Sequence, residues 1–330
     1  MSLLCEDAER VIQRRLVTAL VVVPLLMCSA GCAYFPSAGS GGDVSVVASH
    51  SADVLLRADS TGLHRSVDSG VTWVQKGTRA IVPSALAIQS VPALSLGIFW
   101  ERPVFYVIEQ SGTVLRSDDA GVSWSAVQNP PGVHGVVALA AVPGKPAFLA
   151  VGEDDSLWTN DSGERGWQLL VARLDVTLRF LAVDPAVPEV LYGISDRGQS
   201  LRSRDGGSSW QAMGPIEAAS PGAGEDVNAL FVRRGGREGA AVHFGCACGG
   251  ETAGNSTSII YVLQAGSLYR SFDQGETWGS MATQGIQVGD IAAAALDPVN
   301  ADIVYAVLRE HGEVMRSLDG GKTWRQLDGG

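Results

Sequence analysis

The sequence predicts an all-β fold built from about six repeated units of four strands each. Glycine is abundant, with 40 residues among 330, and charged residues make up only 18% of the chain. This composition favours many short strands and tight turns over long helices. In addition, one eight-residue segment recurs along the chain, and similar short strands precede each copy, which indicates repeated structural units.

The first 32 residues are predicted to be an export signal. Arg14 and Arg15 precede an apolar run over residues 16–27, which is followed by small residues. A basic flank, a short apolar core and small residues are typical of a secretory signal, and about twelve apolar residues are too few to span a bilayer. The acidic pair Glu6-Asp7 is unusual at the start of a signal, and translation from near Val11 would leave a conventional basic head.

The segment Ser29-Ala30-Gly31-Cys32 resembles the lipobox of bacterial lipoproteins, although that family usually has Leu where Ser29 stands. The resemblance implies that Cys32 is lipidated and anchors the exported protein to the outer face of a bacterial membrane, either the plasma membrane or the outer membrane. An ordinary signal peptide with cleavage elsewhere is the alternative. Residues 33–42 are small and rich in Gly and Ser, which predicts a flexible tether before a domain over residues 43–330.

The repeated segment begins with Ser, carries Asp at its third position and Gly at its fifth, and ends in Trp. Five copies are nearly identical, and a sixth, around Asp161, is degenerate. The Asp residues are Asp68, Asp119, Asp161, Asp205, Asp273 and Asp319, and the Trp residues of the five good copies are Trp73, Trp124, Trp210, Trp278 and Trp324.

These residue types suit a turn between two strands. An Asp side chain can accept hydrogen bonds from backbone N–H groups across such a turn, and Gly takes a positive φ that other residues resist. The hydroxyl residues add local hydrogen bonds, and the Trp buries a large flat surface as the next strand begins. The segment is therefore predicted to be a hairpin turn.

The rest of each unit repeats as well. An Arg precedes the Ser of each good copy, a strand with an aromatic residue lies upstream, and an apolar strand comes before that. Four strands repeated at about 40–50 residues predict the blades of a β-propeller, most simply six. Between Asp205 and Asp273 the spacing is longer, and the Gly-rich stretch 235–257 is expected to be an insertion loop, with a hidden seventh blade as the alternative.

The turn segment resembles the Asp-box, or BNR repeat, of sialidase-like β-propellers. Some members of that superfamily are sialidases and some cleave xyloglucan, whereas the photosystem-assembly-factor and sortilin-like branches are non-catalytic. The resemblance implies that the Asp-box residues are structural and lie away from the active-site end. It covers nearly all of the chain after residue 42, but fold does not determine function.

The residues of a sialidase site are not evident in the sequence. The early aromatic-Arg-Ile-Pro motif of that family does not precede the first Asp-box. Four of the tyrosines repeat at one blade position, so none is left as an obvious nucleophile. Trp158 stands where the repeat has Arg and is expected to be packed, whereas Trp100 is the tryptophan most available to a ligand.

Two groups of residues are candidates for ligand binding. The turns between the second and third strands of the units carry an acid in five of six cases, which suits a cationic partner, a metal ion or a glycosidase carboxylate pair, or reflects only the turn preference of Asp and Glu. His243, Cys246 and Cys248 lie close in sequence. A disulfide between the two cysteines is the expectation, and free thiols or a copper or zinc site are the alternatives.

The chain has a net charge of −11 and no basic patch. It is therefore not expected to bind nucleic acid, because phosphate contacts need clustered Lys and Arg. The sequence therefore predicts a membrane-anchored, monomeric, non-catalytic binding or assembly module with a protein or glycan ligand. An extracellular sialidase- or xyloglucanase-like hydrolase is the first alternative, and a structural component of the envelope is the second. No cofactor is expected, and no catalytic or metal-binding residue is assigned.

Overall fold

The computed structural model describes fifteen segments of the chain, and within them every regular element is a β-strand. Cys32, Cys246 and Cys248 lie outside the described residues. The described segments are residues 33–36, 45–48, 54–59, 62–75, 83–95, 98–109, 111–142, 147–161, 166–216, 227–234, 258–281, 285–287, 289–297, 302–309 and 312–327.

Strand β1, Ala33–Pro36, is followed by strands that group in consecutive fours, each an antiparallel meander. Set 1 is β2 (Ser45–Ala48), β3 (Leu55–Asp59), β4 (Gly62–Ser66) and β5 (Val74–Gln75); set 2 is β6 (Pro83–Ser95), β7 (Ile98–Glu109), β8 (Val114–Ser117) and β9 (Ser125–Val127). Set 3 is β10 (Val136–Val142), β11 (Ala147–Gly152), β12 (Leu157–Asp161) and β13 (Trp167–Val171); set 4 is β14 (Leu178–Val183), β15 (Leu191–Ser195), β16 (Ser200–Ser203) and β17 (Gln211–Ala212). Set 5 is β18 (Val227–Arg234), β19 (Ser258–Gln264), β20 (Ser267–Ser271) and β21 (Gly279–Ser280); set 6 is β22 (Ile291–Leu296), β23 (Val304–Leu308), β24 (Val314–Ser317) and β25 (Arg325–Gln326).

The sets are arranged as a ring. The first strand of each set contacts the first strand of the next, from β2 through β6, β10, β14 and β18 to β22, and β22 returns to β2. Sets 1, 3, 4 and 6 are separate four-stranded sheets, whereas sets 2 and 5 are joined through β1 into one sheet of nine strands. Sheets whose first strands surround a common axis form a β-propeller. The prediction of an all-β propeller is confirmed.

Ring closure, which the sequence does not reveal, occurs by packing between set 6 and set 1. The guanidinium of Arg57 in β3 donates a hydrogen bond from Nη1 to the carbonyl of Gly312, at 3.2 Å. The turn at Gly70 lies against the side chain of Leu327, just after β25. Each of these two sets supplies all four of its own strands, so no strand is exchanged at the seam.

The core lies between neighbouring sheets, where second strands such as β11, β15 and β19 are covered on both faces. Strand β11 is buried at all six positions, which suits its uninterrupted apolar sequence. The repeated tyrosines of the second strands are the largest fully buried side chains, each at most 1% exposed: Tyr106, Tyr192, Tyr261 and Tyr305.

The structure differs from the sequence-based expectation at residues 33–36, the start of the predicted tether. These residues form β1, which pairs in antiparallel fashion with both β18 and β6. Tyr34 and Phe35 are residue types that favour strands, and the first strands of two sets offer backbone partners that a tether in water would lack. The chain after residue 32 therefore enters the ring.

The two ends of the ring are distinguished by their turns. The turns between third and fourth strands, which are the repeated segments, share one end with the connections between first and second strands, and we name it the repeat-turn end. The turns between second and third strands share the opposite end with the links between sets. At the repeat-turn end, the hairpin of β6 and β7 extends to the pair Ser95↔Ile98, well beyond the pairing in other sets.

Candidate functional site

The five good copies of the repeated segment, which we call the repeat turns, share one hydrogen-bond network. In the turn of set 4, Ser203 Oγ donates to Asp205 Oδ1 at 2.8 Å and accepts from the N–H of Gly207 at 2.8 Å. Asp205 also accepts from the N–H and hydroxyl of Ser209, at 2.9 and 2.6 Å. The corresponding contacts recur in the turns centred on Asp68, Asp119, Asp273 and Asp319. Each carboxylate thus links both ends of its own turn.

These hydrogen bonds favour the ionised carboxylate and lower its pKa. The hydroxyl of Ser66, followed by that of Thr72, lowers the pKa of Asp68 to about 2. The hydroxyl and N–H of Ser209 lower the pKa of Asp205 to about 2. A carboxyl group held in this state is a poor general acid near neutral pH, because general acids need raised pKa values.

We expect the folded protein to lose stability as the pH falls from about 4 to about 2. The pKa of Asp205 is about 2 in the folded protein and 3.8 as the ordinary value, so the unfolded chain takes up protons first. The stabilising contribution is therefore complete above the ordinary pKa and is lost as the pH falls through the folded pKa. Thermal unfolding of the full chain across pH 2–7 measures this, and Asp205→Asn should flatten the decline. A melting temperature that rises on acidification would contradict the assignment.

The Gly of each repeat turn also makes room for the preceding set. A Cβ at Gly207 would lie 2.5 Å from Leu157 Cδ2 of set 3, and one at Gly121 would lie 2.7 Å from Leu56 Cδ2 of set 1. Both glycines have positive φ values, 95° and 83°. The same relation holds for Gly275 with Met213, Gly321 with Met281 and Gly70 with Leu327. The repeat turns therefore join adjacent sets as well as adjacent strands.

The Arg that precedes the repeat turn reaches the turn of the next set, a role that sequence reasoning missed. Arg65 donates from Nε to the carbonyl of Ala120 at 2.6 Å, and Arg202 donates from Nη1 to the carbonyl of Gln274 at 2.9 Å. Both carbonyls stand at the fourth position of a repeat turn. The recurrence of Arg before each repeat turn could have indicated a structural role from the sequence. Its partner, however, is identified only by how the sets pack.

Replacing Arg202 with Met is expected to destabilise the protein by about 2 kcal/mol, since hydrogen bonds to a charged group are lost at a buried site. Arg202 is 8% exposed and pairs with Glu276 at 2.9 Å as well as with Gln274. Arg116→Met is the matched control, because Arg116 pairs at 2.6 Å with exposed Asp118 of its own turn, a contact worth about 0.5 kcal/mol. Urea unfolding of both variants gives the comparison, and equal losses would contradict the role of Arg202.

The opposite end is held together by backbone hydrogen bonds between sets. The N–H of Val136 donates to the carbonyl of Gly112 at 3.0 Å, and the N–H of Ile291 donates to that of Gly266 at 3.2 Å. The N–H of Leu174, in the link from set 3 to set 4, donates to the carbonyl of Asp155 at 2.8 Å. The turns between second and third strands of sets 2, 3 and 5 are therefore fixed, which gives this part of the end a defined surface for recognition.

Charges of both signs lie at the opposite end. This end is therefore less uniformly acidic than the sequence of its turns, with an acid in five of six, had indicated. Glu153, Asp154 and Asp196 are exposed there, together with Arg173 and Arg197. The hydroxyl of Ser156 is the main cause that lowers the pKa of Asp154. Within the described segments, no group of three or more His, Cys, Asp or Glu side chains has a geometry that could hold a metal ion.

The remaining sequence-predicted residues are placed as follows. Trp158 is half-buried and donates from Nε1 to Ser156 Oγ at 2.7 Å, so it is packed. Trp100 lies in β7, paired with Ala93, at the repeat-turn end of the ring, and its side chain is outside the described part of the chain. The described residues contain no helix of the length and apolar character needed to cross a bilayer.

Comparisons with known proteins give structural neighbours at low sequence identity. YCF48 from Cyanidioschyzon merolae is 17% identical with a TM-score of 0.45, over 89% of this chain and 88% of that one. YCF48 bound to a D1 peptide is 16% identical with a TM-score of 0.46, over 89% and 84%. The GH74 xyloglucanase from Xanthomonas campestris is 16% identical with a TM-score of 0.42, over 89% of this chain but 46% of the enzyme. No protein-family model and no curated protein matches the chain.

Proposed function

We propose that the protein is an extracytoplasmic β-propeller of six blades, anchored by lipidated Cys32, that acts as a non-catalytic binding or assembly module. In this proposal each strand set is one blade, β1 joins two blades across the ring, and the repeat turns are Asp-boxes. Residues 1–32 are the signal, and the blades occupy residues 43–330, with the stretch 235–257 as an insertion that carries a disulfide between Cys246 and Cys248.

One observation carries the non-catalytic assignment: the repeated tyrosines and the carboxylates of the repeat turns have structural contacts. The four repeated tyrosines are fully buried, and Tyr192 donates its hydroxyl to buried Asp184 at 3.0 Å. Every described carboxyl group with a shifted pKa has it lowered by hydrogen bonds, as for Asp205 and Asp319. A glycosidase needs a carboxylic acid with a raised pKa.

The binding surface in this proposal is the opposite end. The turns of sets 2, 3 and 5 at this end are held by backbone hydrogen bonds to the following set or link, so little conformational entropy is lost there when a partner binds. Its exposed charges include Asp196 and Arg197 in one turn. A surface with adjacent charges of both signs suits a protein or glycan partner with a complementary polar pattern.

The test uses the full chain, exported and purified from membranes. A photo-crosslinking residue at Arg197 should give a discrete protein or glycan adduct in the cell envelope, whereas the same residue at exposed Leu169 on the outer strand β13 should not. The purified protein should release no sugar from xyloglucan or sialyl-lactose. Turnover of either glycan that is abolished by changing one carboxylate of the opposite end would establish a hydrolase instead.

A further inference from the structure

Strand β1 lies on the axis of the ring. It pairs with β6 and β18, the first strands of sets 2 and 5, which stand opposite each other in a ring of six sets. It also contacts β2, β10 and β14, the first strands of three further sets. A strand that reaches the first strands of five sets runs through the centre of the ring. It fills the space between the inner edges of β6 and β18, which we call the axial slot.

The axial slot is suited to an extended, uncharged segment. β6 and β18 each pair with the second strand of their own set on one side, so their other edges present backbone N–H and C=O groups to the axis. Residues 229–232 of β18 are all buried. The charged residues of the first strands are Arg179, Arg233 and Arg234, each within the first or last two positions of its strand. At mid-depth the first strands therefore offer no charge to pair with one on an occupant, and burying an unpaired charge is costly.

Strand β1 can leave the axial slot without dismantling the ring. Each set keeps its own four strands when β1 is removed, and only the backbone pairs of Ala33–Pro36 are lost. The vacated edges of β6 and β18 are then open to another extended segment, because unpaired strand edges are templates for strand addition. The axial slot can therefore exchange one strand for another.

The depth of β1 in the ring conflicts with a lipid on the preceding residue. Ala33 lies opposite Phe231, which in turn pairs with the fully buried Tyr261. Strand β18 continues for three more residues, to Arg234, so Ala33 lies about 10 Å below the end of that strand at about 3.3 Å per residue. The acyl chains of a lipidated Cys begin a few bonds from its sulfur. A paired β1 would therefore hold a lipidated Cys32 inside the ring rather than at a membrane surface.

The unprocessed chain avoids this conflict. Its apolar run ends at Met27, and residues 28–32 separate that run from Ala33. Five extended residues span about 17 Å, which is more than the distance from Ala33 to the end of β18. Strand β1 can therefore pair while the apolar run lies in a membrane, whereas cleavage before Cys32 removes this spacer.

We propose that the axial slot is a binding site for an extended, uncharged strand of a partner protein, and that β1 occupies it only until Cys32 is lipidated. This inference rests on the proposed lipidation of Cys32. Lipidation draws β1 out toward the bilayer, and residues 33–42 then act as the flexible tether that their composition predicts. The emptied slot pairs with the partner's strand through β6 and β18, so only the anchored protein binds it.

Hydrogen exchange read by mass spectrometry tests the withdrawal of β1. The full chain is exported with its own signal, and its lipidated form is compared in one detergent with the Cys32→Ser chain, which cannot be lipidated and is isolated with residues 1–32 attached. The amides of residues 33–35 should exchange about ten-fold or more faster in the lipidated form, since they lose their backbone partners. Amides of β11 are the control and should exchange equally in both. Equal exchange of residues 33–35 in the two forms would overturn the proposal.

A synthetic peptide with the sequence of residues 33–42 tests the binding site itself. Labelled at its C-terminus, it should bind the lipidated chain about ten-fold or more tightly than the Cys32→Ser chain, in which β1 blocks the slot. The same peptide with Tyr34→Pro should not bind, because proline has no N–H to donate to a strand partner. Absence of binding to the lipidated chain would refute the site.

A double variant opens the axial slot without a lipid. Tyr34 has pairing partners on both sides, Leu230 and Ala87, so Tyr34→Pro removes a backbone donor from the middle of β1. Combined with Cys32→Ser, it should bind the wild-type peptide as tightly as the lipidated chain does. Unchanged exchange of β11 amides shows that the ring is folded, and a folded double variant that does not bind the peptide contradicts the assignment of the slot.

Mass spectrometry of the mature N-terminus separates this inference from the proposed function. Peptide binding by the double variant, with no lipid on Cys32 of the exported protein, would support the axial site and refute both the anchor and release by lipidation. A lipidated Cys32 with unchanged exchange of residues 33–35 would support the anchor and overturn the withdrawal of β1.

Discussion

Replacing Gly266 with Ala is expected to destabilise the protein by about 4 kcal/mol or more, at the exceptional end of single substitutions. Gly266 has φ of 71° in the turn between β19 and β20. A Cβ there would lie closer than 3.0 Å to three backbone atoms of Gly289, in the link to set 6. Backbone atoms cannot rotate away as a side chain can, so sets 5 and 6 would have to separate.

Gly206→Ala is the matched control for this substitution. Gly206 has φ of 69°, and a Cβ there would meet nothing within 4 Å. It should therefore cost only the strain of a left-handed residue, about 1–2 kcal/mol. Urea unfolding of both variants separates backbone strain from packing between sets, and a difference below about 1 kcal/mol would contradict the close approach at Gly289.

Replacing Asp184 with Ala is expected to cost about 4 kcal/mol, because several buried polar groups lose one acceptor together. Asp184 is 4% exposed and accepts hydrogen bonds from Ser258 Oγ at 2.6 Å and Tyr192 at 3.0 Å. It also accepts from the N–H groups of Ala186 and Val187, at 2.8 and 3.1 Å. Ser258 begins β19, so the carboxylate joins set 4 to set 5.

Two variants calibrate the loss at Asp184. Asp184→Asn keeps one carbonyl acceptor and should cost about half as much, whereas Ser258→Ala removes a single hydrogen bond and should cost about 1 kcal/mol. Burial, and then the charge of Asp184, raise the pKa of Tyr192. Absorbance titration should accordingly show a lower tyrosine pKa in Asp184→Ala than in wild type, and an unchanged titration would contradict this contact.

The local parts of the fold could be predicted from the sequence. The Ser, Asp, Gly and Trp of a repeat turn interact within eight residues, so their pattern indicates the turn directly. Tyr192 and its three equivalents were recognisable because each lies 10 to 12 residues before the Ser of a repeat turn. The contacts between sets were not predictable, since Arg202 and Gln274 are 72 residues apart and only packing brings them together.

Two features near the N-terminal part of the chain also escaped prediction. Composition indicated a tether over residues that include β1. The pairing of β1 could not be predicted, because its partners β6 and β18 lie far along the chain. The uncharged stretch of residues 80–100 was visible in the sequence, but the register that makes it a projecting hairpin was not. Of the candidate site, the turns of the opposite end in sets 2 to 5 lie where counting strands predicted them, whereas Arg173 comes from a link that the repeat pattern does not specify.

The seam between set 6 and set 1 has a consequence for how the chain folds. Within every set, strands pair with neighbours close in sequence, whereas Arg57 and Gly312 at the seam are 255 residues apart. Closing so long a loop costs conformational entropy, and the contacts that offset this cost form only after the loop has closed. Each set can therefore form early as a local unit, with the seam completed last, and native-state hydrogen exchange should find the amides bordering the seam opening before those between sets 3 and 4.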